Sequence, residues 1–302
     1  MKLSAIYLVT ILTTFLSLTL NSSAQDVDDE IITVDSSIVV MNASITDAAG
    51  KAVGGLTQRL FKVFEDGVEQ EIKSFAAEET PFAAVILLDT SGSMEQRVSL
   101  ARSAAIQFLG GLRSDDFVAI YNFDSKVSMV QDFSNSRDIR EQVFDLKSDG
   151  MTVLNDAVYK AAEILSKREE KRRAIIVLSD GADTQSERSA EKAMQAALTT
   201  GAMIYTVDMS ATSDNSPGRY RNQGVLKSFS EKTGGRFVET PGGNAMRDAF
   251  RRIVVELGQQ YTLTFSPSNL KKDGKWRALE LRVARPNLTI RTRKGYKAAK
   301  SK

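Results

Sequence analysis

The chain has 302 residues and a formal net charge of +2, with no histidine and no cysteine. Without histidine there is neither a Ser-His-Asp triad nor a His-ligated zinc centre, and without cysteine there are no disulfides and no lipid-modified cysteine. The small net charge hides a split: residues 25–80 carry 12 acids against 4 bases, whereas residues 271–302 carry 12 bases against 2 acids.

Taken in chain order, Met1 and Lys2 lead into an apolar stretch to Leu20 that closes on Ser22-Ser23-Ala24. This reads as a secretory signal over residues 1–24 with a small-residue cleavage site, so the protein is expected to be exported: periplasmic, cell-surface or secreted. Left uncleaved, the same stretch would be a membrane anchor. Export without disulfides suits a bacterial envelope or secreted protein.

Residues 25–79 have strand character. Val39, Met41, Ala43 and Ile45 alternate, and Asp66-Gly67 separates Phe61–Phe64 from the run Val68–Phe75, a strong hairpin signal. Residues 259–297 behave alike, with strands expected at Tyr261–Phe265, Trp276–Val283 and Leu288–Arg293, before a basic tail at 298–302. Each flank is too short to bury a comfortable core alone. Their opposite charges favour pairing, so one small β-sandwich built from both flanks is expected. The basic C-terminal stretch would also suit an anionic surface, but basic residues alternating on an edge strand guard against aggregation, and that role is expected here. Nucleic acid is not an expected partner.

Residues 80–258 change period. Phe82–Leu88 is a continuous apolar run, as in a central strand covered on both faces. It ends in Asp89-Thr90-Ser91-Gly92-Ser93 and is followed by a helical pattern over Met94–Leu112. Further strands are expected at Phe117–Phe123, Ala174–Leu178 and Ala202–Val207. Helices are expected near Arg137–Leu146, after Thr152, and at Ser186–Thr199, Val225–Thr233 and Asn244–Leu257, with a polar loop over Ser210–Asn222. Alternation of this kind predicts an α/β fold, a doubly wound, mostly parallel sheet.

Asp89, Ser91 and Ser93 offer a carboxylate and two hydroxyls at a strand-to-helix turn, where open α/β sheets bind ligands. Hard dications prefer such oxygens. Thr152 stands before a later helix, and Asp180 in Ser179-Asp180-Gly181 ends another strand. Serine and aspartate are also ordinary helix caps, which is the plain alternative. An Asp-x-Ser-x-Ser loop, a later Thr before a helix and an Asp-Gly ending a strand, in that order, resemble a von Willebrand factor type A domain with its metal-ion-dependent adhesion site. The flanks resemble those of a bacterial, acidobacterial-type group of related proteins. The resemblance implies a Rossmann-like type A domain inserted into the sandwich, binding Mg2+ (or Mn2+ or Ca2+). Ser91, Ser93 and Thr152 would supply hydroxyls, and Asp89 and Asp180 would bind directly or through water.

It also implies a protein partner offering an exposed Asp or Glu as the last ligand. Catalysis is not expected: in the dehalogenase-like phosphatases a second Asp follows the nucleophile by two residues, and here Ser91 occupies that position. The other function to weigh is a structural component of envelope assembly whose metal only stabilises the loops.

Overall fold

A computed structural model describes residues 38–77, 80–94, 97–137, 150–210, 215–239 and 243–300. The expected signal segment, all but the first residue of the helix expected at Arg137–Leu146, and the last two residues of the basic tail lie outside these.

In chain order the strands and helices are β1 (Val39–Thr46), β2 (Phe61–Glu65), β3 (Val68–Gln70), β4 (Ile72–Ala76), β5 (Phe82–Asp89), α1 (Val98–Gly110), β6 (Phe117–Phe123) and β7 (Val127–Ser134). There follow α2 (Leu154–Ser166), β8 (Arg172–Ser179), α3 (Ala190–Thr200), β9 (Ala202–Asp208), α4 (Pro217–Thr233), β10 (Phe237–Glu239) and α5 (Gly243–Gly258). The chain closes on β11 (Tyr261–Phe265), β12 (Trp276–Val283), β13 (Thr289–Thr292) and β14 (Gly295–Lys297).

The middle of the chain builds a six-stranded sheet in the order β10-β9-β8-β5-β6-β7, parallel except for the last pair. β5 is fully buried because both of its faces are covered. Phe82, Ala84, Ile86 and Leu88 pack with α1 and α5; Ala83, Val85 and Leu87 pack with α2, α3 and α4. This is why β5 reads as an unbroken apolar run rather than an alternating one. The chain leaves β5 toward β6 on one side and later places β8 on the other, so the strand order reverses there. Ligand crevices in open sheets form at such a reversal, at the carboxyl ends of the strands.

The flanks assemble as expected. Two four-stranded antiparallel sheets, β13-β1-β11-β4 and β14-β12-β2-β3, each draw strands from both ends of the chain and share one core of Met41, Ala43, Ile45, Phe61, Val63, Tyr261 and Leu263, among others. Ladders and apolar packing, more than charge, hold the flanks together: among the described residues, Glu65–Arg277, at 4.0 Å, is the ion pair that joins them.

Several boundaries differ from expectation for physical reasons. Val68–Phe75 is not one strand, because the chain turns at Glu71 and passes from the β2 sheet to the β11 sheet. Pro217-Gly218, read as loop, opens α4: Ser216 caps it by accepting from Arg219 N, and proline's fixed φ suits the first helical position. β7 and the short β10 had no prediction.

The sandwich docks on the amino edge of the large sheet through buried polar groups. Arg172, fully buried at the start of β8, donates to Thr262 Oγ1 at 3.1 Å, to Thr80 O at 3.3 Å and to Gln260 O. Thr262 in turn donates to Asn42, whose Nδ2 donates to Lys171 O. Glu256, at the end of α5, accepts from Tyr205 and Arg236 and pairs with Arg291 of β13. β1 is thus buried on both faces, an apolar one toward the sandwich core and a polar one carrying Asn42, Ser44 and Thr46.

Candidate functional site

At the carboxyl end of β5 the chain folds back on Asp89. Its Oδ1 accepts from Ser91 N at 2.9 Å and from Ser91 Oγ at 2.5 Å, and Ser91 Oγ lies 3.2 Å from Ser93 Oγ. Asp89 and Ser91 are buried, and Ser93 is exposed at the rim. Thr90 faces the other way and fixes the loop to β6, its amide donating to Phe123 O at 2.8 Å.

Thr152 reaches the same edge from the loop before α2. Gly92 N donates to Gly150 O at 3.3 Å, which ties the serine loop to the threonine loop. Asp180 arrives at the end of β8. Its loop is stitched to the threonine loop by Thr184 N donating to Thr152 O at 2.9 Å, and to α2 by Asp156, which accepts from Glu187 N and Arg188 N. Gly181 makes this approach possible: its φ is +81°, and an added Cβ would lie 2.6 Å from Asn222 O of α4. All five expected residues, Asp89, Ser91, Ser93, Thr152 and Asp180, therefore meet at one edge.

One residue that the sequence reading passed over completes the arrangement. Ser179, fully buried, donates from Oγ to Asp89 Oδ2 at 2.5 Å and accepts from Gly181 N at 2.9 Å. Both oxygens of Asp89 are thereby held, and the two carboxylate loops are linked through one hydroxyl. Its position directly before Asp180 was the only signal available.

Helix capping does not account for these side chains. The residue capping α1 is Arg97 and that capping α2 is Val153, and neither makes a side-chain cap bond. Among the described residues the Thr152 hydroxyl has no hydrogen-bond partner, although the residue is only 3% exposed. The donor set suits a hard dication: three hydroxyls and two carboxylates, with no cluster of three acids among the described residues. Burial pushes the Asp89 carboxyl up to about 6; hydrogen bonds from Ser179 and Ser91 oppose the shift, and Asp180 adds to it. A buried carboxylate that costs this much to ionise is one a cation would stabilise.

An open α/β sheet with an oxygen-rich site at its strand reversal defines the class. The family model for the von Willebrand factor type A domain matches residues 84–182, a stretch that contains all five site residues, and the chain carries a domain of that family. The inter-alpha-trypsin inhibitor heavy chain H3 of Bos taurus is 28% identical over 126 residues, which is 37% of this chain but only 14% of that protein's length. Among solved structures, von Willebrand factor type A from Catenulispora acidiphila aligns with a TM-score of 0.50 and 14% identity, over 89% of this chain and 76% of its own. The vWF domain of the type V pili tip protein Mfa5 from Porphyromonas gingivalis also gives 0.50, with 13% identity, over 60% of this chain and 95% of its own. At such identities these structures establish the fold.

Proposed function

We propose that this protein is an exported, metal-dependent binding module of the adhesion type. A divalent cation, Mg2+ or in its place Mn2+ or Ca2+, would be held by Ser91, Ser93 and Thr152, with Asp89 and Asp180 bound directly or through water. The cation supplies a Lewis-acidic position for an exposed Asp or Glu of a partner protein. The observation that carries this reading is the convergence of five oxygen-bearing side chains, only two of them charged. Such a set leaves a dication electrostatically unsatisfied, and a partner's carboxylate makes up the difference. The chain's own residues act by position: Ser179 and Ser91 fix Asp89, Gly181 lets Asp180 approach, and Thr184 seats the threonine loop. The pilus-tip protein among the similar folds supports an adhesive role, and with the signal-like start it supports a periplasmic, cell-surface or secreted location.

The test is selection of displayed peptides rich in Asp and Glu against a matched set carrying Asn and Gln, in the presence of magnesium. Acidic peptides should be enriched, and the enrichment should vanish with chelator and in Thr152→Ala. Enrichment that survives both would favour an assembly component whose contacts lie elsewhere.

A further inference from the structure

The sandwich, seated on the amino edge of the large sheet, carries a feature that the proposed function does not use. The loop 266–275 leaves β11 after Phe265, whereas the opposite end of β11 docks on Arg172 at the amino edge of the large sheet. The loop is anchored at both ends: Ser268 exchanges hydrogen bonds with Gln70, and Arg277 donates to Lys271 O at 3.3 Å.

Among the described residues, two of the eight large apolar side chains left exposed lie in or directly after this loop: Leu270 at 82% and Trp276 at 44%. Around them stand the exposed Lys271, Lys272 and Lys275 of the loop, with Lys297 and Lys300 from the adjoining last strand and tail. Adjacency is fixed by pairing, since Trp276 lies opposite Lys297 and Asp273 bridges to Lys300. Acids nearby are already engaged. Asp273 pairs with Arg277 at 2.9 Å, Glu69 pairs with Lys62 at 3.1 Å, and Asp66 accepts from Ala278 N. Lys271, Lys297 and Lys300 enter no ion pair among the described residues. Farther along the same sheet the outer face is balanced, as in Arg282–Glu280 at 2.7 Å.

Edge-guarding lysines, the role expected from the sequence, need no exposed leucine and tryptophan among them. Clustered lysines attract an anionic leaflet, and a protruding leucine beside an interfacial tryptophan is the apolar part of such a contact. We propose that this tip is a peripheral docking surface for an anionic lipid bilayer. Lysines contribute the charge complementarity and Leu270 the insertion.

Trp276 is the only tryptophan in the chain, so its emission reports on the tip directly. The experiment titrates the exported protein, residues 25–302, with vesicles of phosphatidylglycerol in phosphatidylcholine, and with phosphatidylcholine alone. The expected result is a blue shift with the anionic vesicles only, weakened by salt. Each lysine neutralised near the surface should cost about fivefold, so Lys271→Gln with Lys272→Gln should raise the lipid needed by more than tenfold. Leu270→Ser should reduce the blue shift while leaving the salt dependence in place. The proposal is overturned by equal shifts with neutral vesicles, by no shift, or by a double variant that titrates like the wild type. It is also overturned if Leu270→Ser is without effect and a soluble polyanion such as DNA gives the same response, which would make the tip a site for polyanions instead.

Discussion

Ser179→Ala removes one oxygen atom from the centre of the site, and the structure fixes what that should cost. The hydroxyl donates to a buried carboxylate at 2.5 Å and accepts from a buried amide at 2.9 Å. A hydrogen bond to a charged group contributes roughly 1.5 to 3 kcal/mol, and a buried N–H left without an acceptor costs about 1 kcal/mol more. The loss should therefore be about 3 kcal/mol, or roughly 6 to 12 °C in melting temperature for a domain of this size. Thermal unfolding at neutral pH in chelator measures it without interference from metal. Ser179→Thr keeps the hydroxyl and should recover most of the stability. Magnesium affinity should fall by at least about tenfold in the alanine variant, since Asp89 loses the bond that orients its Oδ2. A stability change under about 0.5 kcal/mol, with unaltered metal affinity, would refute the view that Ser179 holds the two loops together.

Gly181→Ala should destabilise by about 2 kcal/mol or more, because its φ of +81° and the 2.6 Å approach to Asn222 O both forbid a Cβ. Gly92→Ala, whose added Cβ meets nothing closer than 3.6 Å, is the control and should cost under about 1 kcal/mol in the same urea titration. Arg172→Met should cost about 3 kcal/mol or more by leaving Gln260 O, Thr80 O and Thr262 without their buried donor, and limited proteolysis should show the sandwich released first. In chelator, Asp89 sets a pH dependence of definite sign. Its folded value of about 6 lies above the ordinary 3.8, so the folded state holds the extra proton between them and stability falls as pH rises through that window. Over about two pH units this amounts to roughly 3 kcal/mol, and Asp89→Asn should flatten the slope of melting temperature against pH. An unchanged slope would assign the effect to another group.

Much of this was legible because periodicity and strand ends are local. β5 could be read from seven consecutive apolar residues, and its place between two helical layers followed. Asp66-Gly67 announced a hairpin, and both residues indeed take positive φ, 48° and 83°. The sheet change at Glu71 was not legible, since Val68–Phe75 contains no Gly, Pro, Asn or Asp, and while its first half stays with the neighbouring β2, its second half pairs with β11, far along the chain. Nor could the junction be read. Arg172 stands within a mixed run of charges, and only the tertiary fold shows that its guanidinium is buried against Gln260 and Thr262. At the site, the residues offering oxygen could be named from spacing and resemblance. Ser179 could not, because its role depends on the distance between two strand ends.

The central claim is that Asp89, Ser91, Ser93, Thr152 and Asp180 hold a divalent cation, and magnesium-dependent thermal unfolding of the wild type beside Thr152→Ala tests it most directly. At about a hundred times its dissociation constant the ion should add about 2.7 kcal/mol, or roughly 5 to 11 °C. Thr152→Ala should melt with the wild type in chelator, within about 0.5 kcal/mol, because its hydroxyl bonds to no described residue, yet it should lose most of the magnesium shift. A wild type that does not respond to magnesium or manganese, or a variant that responds just as strongly, would contradict the account.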